Sequence, residues 1–196
     1  TAGDIMYGGS SGTVTRLAAS TDGHVLTATG AGSAPAWEES AGKILQVVTD
    51  TGPTNFSSTS TSLVQVTDSD ISITPTSASS RIILHWQITP HINTTTVPGT
   101  SLVMQLQAYR GTTSLGIIDH SRVNYPASTS ASFYKDQGKT LTWVDHPNTT
   151  SAVTYWLYGK VSDGTFYAHH AIYGSPKMKI MAMEVSGLTT EWSGID

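Results

Sequence analysis

Not one cysteine occurs in this 196-residue chain. Disulfide frameworks, thiolate metal sites and cysteine nucleophiles are excluded with it. Stability must come from a large core or from association between chains. Charge is scarce too: Asp, Glu, Lys and Arg make up 12% of the residues, about half the usual share. Net charge is −4 and no basic run occurs, so the phosphate-neutralising surface that nucleic-acid binding needs is missing. No apolar stretch is long enough for a membrane-spanning helix, and no charged-then-apolar leader opens the chain. Membrane insertion is not expected. Nor does any segment hold a helical period over three turns.

What is present favours strands. Apolar residues make up 38% of the chain, and much of the rest is Ser and Thr. Hydroxylated and β-branched side chains fit a pleated surface. Arg81–Ile92 alternates most clearly, with Ile82, Leu84, Trp86, Ile88 and Ile92 on one face and Arg81, His85, Gln87, Thr89 and His91 on the other. Leu102–Arg110 repeats the pattern, with Leu102, Met104, Leu106 and Ala108 inward. Further strands are expected at Lys43–Thr49, Leu63–Thr67, Ile71–Thr74, Leu115–Asp119, Lys139–Asp145, Val153–Val161, Phe166–Tyr173 and Lys177–Val185. Residues 50–62 read as a loop or weak edge strand around Phe56. Arg110-Gly-Thr-Thr and Ser162-Asp-Gly-Thr read as hairpin turns, because Asp-Gly tolerates positive φ. The expected fold is all-β, an antiparallel, jelly-roll-like sandwich. Long loops at 93–100 and 120–138 are the expected carriers of binding.

The first 37 residues differ. Ile5-Met6-Tyr7, Leu17 and Val25-Leu26 are short apolar clusters separated by Gly, Ser and Thr, closing on Pro35-Ala36-Trp37. Each is too short for a helix and none can bury a core alone. The expected division is an extended segment over 1–40 and a sandwich domain over 41–196. The pattern Gly-Asp-Ile-Met-Tyr … Leu … Gly-His-Val-Leu … Pro-Ala-Trp resembles the segments of tailed-phage fibre proteins that join a trimeric shaft to a distal domain. Later motifs, Gly-Lys-Ile-Leu-Gln-Val-Val, Ile-Thr-Pro-Thr-Ser-Ala-Ser-Ser-Arg-Ile-Ile-Leu, Thr-Ser-Ala-Val-Thr-Tyr-Trp-Leu and Met-Ala-Met-Glu-Val, resemble carboxy-terminal β-domains of marine and cyanobacterial phage structural proteins. Their strand plan is similar to that of trimeric jelly rolls.

The resemblance implies a fibre or appendage on the virion surface, with residues 1–40 as a short shaft or adaptor contacting other virion proteins. It carries no catalytic or sugar-binding motif that maps onto residues of this chain. The Thr1 start then suits a processed product or a piece of a longer fibre. A homotrimer is expected, since Tyr7, Leu17, Leu26 and Trp37 have no intrachain core to receive them. Trp156 and Tyr158 also point away from the Tyr155–Leu157 face, and Met181 and Met183 point away from Ile180 and Ala182. Host attachment through a surface glycan is the expected task, and a purely structural role is the alternative. Tyr125, Phe133, Tyr134 and Arg122 are the candidate receptor contacts, because aromatic faces stack on sugars.

Signals of chemistry are weak. Gly8-Gly9-Ser10-Ser11-Gly12 matches a nucleophile elbow but lacks the strand and helix that strain the serine. Seven histidines invite a metal reading. Yet His169 and His170 are adjacent and point apart, and His85 and His91 lie roughly 20 Å apart along one strand. Asp119-His120 and Asp145-His146 sit at strand ends, where such residues are ordinary turn formers. No enzyme activity, metal or cofactor is expected. Asn93-Thr-Thr and Asn148-Thr-Thr are glycosylation sequons that matter only in a eukaryotic host.

Overall fold

The computed structural model describes residues 2–39, 44–93, 101–124, 138–170 and 177–186. They fall into two compact units, one within residues 1–43 and one within residues 44–188.

The first unit is extended chain folded into two antiparallel hairpins. β1 (Ile5–Gly8) pairs with β2 (Val14–Leu17), and β3 (His24–Thr27) pairs with β4 (Ala36–Glu39). A single 3-10 turn at Ser10–Gly12 joins the first pair, with Ser11 at φ 61° and Gly12 at φ 74°. That left-handed backbone is why a Gly/Ser run stands here. Polar bonds brace the unit: the Ala19 N–H donates to Asp4 at 3.0 Å, and Trp37 Nε1 donates to the Ala18 carbonyl at 2.9 Å. No residue whose burial is described in this unit is buried. Met6 is 64% exposed and Val14 71%.

The second unit opens with β5 (Ile44–Thr51), β6 (Phe56–Ser58), β7 (Val64–Gln65), β8 (Ile71–Ile73), β9 (Arg81–Ile88) and β10 (His91–Asn93). β11 (Ser101–Arg110), β12 (Thr113–Asn124), β13 (Lys139–Asp145), β14 (Val153–Val161), β15 (Thr165–His169) and β16 (Lys179–Val185) complete it. One sheet has the order β13-β9-β16-β5. The other runs β12-β11-β14, with β7 and β8 sharing the far side of β14. A small third sheet has the order β10-β15-β6. All pairings are antiparallel. Outside the small sheet, the β8–β9, β12–β13 and β13–β14 connections cross between the two large sheets, whereas β7–β8 and the β11–β12 hairpin stay within one. The early strand β5 pairs with the late strand β16, which makes this a jelly roll.

Alternation builds the core. Ile82, Leu84, Trp86 and Ile88 of β9 and Leu102, Met104, Leu106 and Ala108 of β11 are all at most 1% exposed. They belong to one cluster between the two large sheets. Gly159 keeps β14 close to this layer, since a Cβ there would lie 2.5 Å from the Phe166 ring. Ser69 closes a gap in the sheet edge. Between β7 and β8, the Leu157 N–H donates to the Ser69 hydroxyl at 3.0 Å, while Val66 N–H donates to the Leu157 carbonyl at 2.9 Å.

Three local expectations are corrected. Arg81–Ile92 is not one strand, because Pro90 has no N–H and the chain leaves the ladder there. β10 pairs with β15 instead, and His91 is buried at 1% exposure rather than facing outward. Asp163-Gly164 does form a turn, with Gly164 at φ 77°, but β14 and β15 lie in different sheets, so it is a corner and not a hairpin. The strand expected at Leu115–Asp119 runs from Thr113 to Asn124 and takes in the start of the expected 120–138 loop. Its register shifts opposite Leu106/Gln107 and Ala108/Tyr109, and those irregularities broke the sequence alternation.

Among the described residues Glu184 is the one carboxylate at 0% exposure. Gln46 Nε2 donates to it at 2.6 Å, and the Thr76 N–H and hydroxyl donate at 2.7 and 2.8 Å. Burial disfavours its charge. Against burial stand the Ser80 hydroxyl, close by though short of hydrogen-bond geometry, and the Gln46 and Thr76 donors, and the balance holds the carboxyl below its ordinary value. A lowered value means that the unfolded chain takes up the proton first as pH falls. The Glu184 contribution is therefore full above the ordinary Glu range near pH 4.3 and is lost as pH falls through the folded value. Urea unfolding measured from pH 7 down to pH 3 should show Glu184→Gln less stable than the wild type at pH 7. The two should converge on acidification. A constant gap across that range would contradict the assignment.

Candidate interaction surfaces

The outer face of the β13-β9-β16-β5 sheet is graded in polarity. Val144, Ile83, Met183 and Val47 are cross-strand partners in one row. At about 4.8 Å per strand the row spans roughly 14 Å. Val144 is 56% exposed and Val47 50%, while Ile83 and Met183 are partly exposed. Ile44, opposite Val185, is 58% exposed and extends the patch. One pleat away the row is Thr142, His85, Met181 and Thr49, and the next is Thr140, Gln87, Lys179 and Thr51. His85 Nδ1 and the Thr142 hydroxyl lie 3.0 Å apart. A shallow groove runs over this polar end, bordered by Asp50, Gln87 and Lys179.

This face brings Met181 and Met183 together with Val47, Ile83 and Val144, which sequence reading did not single out. The signal was present. Both parities of Ile44-Leu-Gln-Val-Val and of Ile180-Met-Ala-Met are apolar, so one apolar set had to face outward.

The outer face of the other sheet is aromatic and polar. Tyr109 and Tyr158 pack with ring centroids 4.1 Å apart and planes tilted by 32°. Trp156 is the cross-strand partner of Tyr109, and both Trp156 and Tyr158 are partly exposed. Arg122 is exposed on β12. Tyr125, Phe133 and Tyr134 lie outside the described residues, as does most of the 93–100 loop. Tyr7, Leu17 and Trp37 are partly exposed in the first unit, and Leu26 is 50% exposed.

The two carboxylates of the candidate acid–base pairs are occupied by structural bonds. Asp145 accepts from Arg110 Nη1 and from the Tyr155 hydroxyl, each at 2.8 Å. Burial, then the hydrogen bond and charge of Asp145, push the Tyr155 hydroxyl above its ordinary value. Asp119 accepts from Lys139 Nζ and from Ser121, again at 2.8 Å. Ser10 and Ser11 sit in the β1–β2 turn, with a strand rather than a helix after them. His91 stacks on His170 at 4.5 Å, and among the described residues no three His, Asp or Glu side chains are grouped to hold a metal ion.

No protein-family model and no curated protein sequence matches the chain. Solved structures do. A chain of the infectious bursal disease virus Gt strain gives a TM-score of 0.33 at 14% identity, covering 93% of this chain and 46% of that one. The VP2 subviral particle of the same virus gives 0.33 at 15%, with 89% and 47% covered. Its derived T=1 particles give 0.34 at 13%, with 89% and 43% covered. The chain thus spans less than half the length of these viral proteins.

Proposed function

We propose that this chain is a non-enzymatic part of a virus particle, the distal portion of a phage fibre that assembles as a homotrimer and serves host attachment. The observation that carries the reading is in residues 2–39. The segment that resembles fibre shafts is held by hairpin bonds, and none of its residues with described burial is fully buried. Its apolar side chains, Met6, Val14, Val25 and Leu26, need a partner surface, and a copy of the same chain offers one by symmetry. The aliphatic row Val144, Ile83, Met183 and Val47 is a second surface of the kind that subunits cover. Other virion proteins would meet the amino-terminal hairpins. A purely structural appendage would share all of these features and would lack only the receptor. Sedimentation equilibrium of the full chain at micromolar concentration should return three times the 20.8 kDa chain mass. A stable monomer would overturn the reading.

A further inference from the structure

We infer that the outer face of the β12-β11-β14 sheet is a glycan-binding platform for a polysaccharide bearing acidic groups. The inference rests on the attachment reading above and names the ligand class and the residues. It moves Trp156 and Tyr158 from an expected subunit interface to a ligand surface.

Register places the floor of the platform. Tyr109 is opposite Trp156, and Gln107 is opposite Tyr158, so three aromatics occupy neighbouring sites on the two central strands. The tilted Tyr109–Tyr158 ring contact and the Tyr158 hydroxyl, which donates to Gln65 Oε1 at 3.3 Å, fix ring positions before any ligand arrives. Such preorganisation lowers the entropy lost on binding. The amides of Gln105 and Gln107 stand on the same face, within reach of sugar hydroxyls.

Charge selects the class. Gln105 has Lys160 on one side and His120 on the other, and the next outward pair is Val103 and Arg122. Neither Lys160 nor Arg122 makes an ion pair among the described residues. The outward positions of β11 and β14, and those paired with them on β12, carry no carboxylate, although the whole chain has a net charge of −4. Asp119 belongs to the inward Leu106 pair and is neutralised by Lys139. A positive edge on an acidic protein suits uronate or other anionic sugar chains. The other large sheet presents an aliphatic row instead, which suits a second protein copy. The two faces therefore divide the work.

The test uses the full chain on an array of bacterial polysaccharides, acidic and neutral, with wild type, Trp156→Ala and Lys160→Gln compared and the assembly state read by sedimentation. Wild type should bind acidic polysaccharides. Trp156→Ala should lose about tenfold or more in apparent affinity, and Lys160→Gln should weaken binding and flatten its salt dependence, both as intact trimers. If Trp156→Ala does not fold, Lys160→Gln, on the surface, decides alone. Binding confined to neutral polysaccharides, no binding at all, or unchanged binding in both variants would overturn the inference. So would loss of the trimer in Lys160→Gln, which would make the face a subunit contact. A monomeric wild type would instead count against the fibre reading.

Discussion

Trp86→Ala is expected to remove about 3–5 kcal/mol from the free energy of unfolding, the range seen when a large buried aromatic is truncated. The indole is at 0% exposure, with Leu141 and Ile180 as its neighbours on the two flanking strands. It also donates from Nε1 to the Ser69 carbonyl at 3.0 Å. Truncation therefore opens a cavity and strands a buried acceptor at once. Ser69 is also the residue whose hydroxyl receives the Leu157 N–H, so the damage reaches the edge of the opposite sheet. Urea unfolding would show a lower midpoint with an unchanged slope. Trp86→Phe, which keeps most of the volume and loses the donor, should fall between wild type and Ala. A change under about 1 kcal/mol for Trp86→Ala would mean that the sandwich is not closed around this side chain.

Asp145→Ala should rank next. Asp145 is 9% exposed and serves two donors, the Arg110 guanidinium and the Tyr155 hydroxyl. Removing it leaves a phenol at 0% exposure without its acceptor and a guanidinium without its counter-charge. About 3 kcal/mol is expected, the lower end of the range for breaking a buried pair, because Arg110 still reaches water. Arg110→Met combined with Asp145→Ala should recover part of the loss in a double-mutant cycle. Full additivity of the two changes would show that the pair is not coupled.

Much of the fold was legible because a half-buried strand writes its register into the sequence. Lys139–Asp145 and Val153–Val161 were placed at the observed bounds, and the inward residues of β9 and β11 followed from a period of two. Legibility failed where a polar or irregular residue did a structural job. His91 carries the parity of an outward residue, yet Pro90 hands the chain to another sheet and the ring is buried. Ser69 looks like any loop serine and in fact substitutes for a missing ladder partner. Asp145 and Tyr155 sit ten residues apart on different sheets, so no local pattern announces their bond. The aromatic surface was half legible. Trp156 and Tyr158 read outward from β14 alone, but Tyr109 joins them only through a cross-strand register that one strand cannot reveal.

Strand order also sets when this protein can fold. β5 has β16 as its neighbour in the large sheet, with Ile44 paired to Val185, and β9 needs β16 on one side. A ribosome adding about 5–20 residues per second takes on the order of ten seconds to pass from one end of that pairing to the other. Until β16 is made, β5 lacks its partner in the sheet, and β9, once made, keeps one open edge. Closure is then a single late event rather than a stepwise one, and chains released early are the ones that present sticky edges to each other.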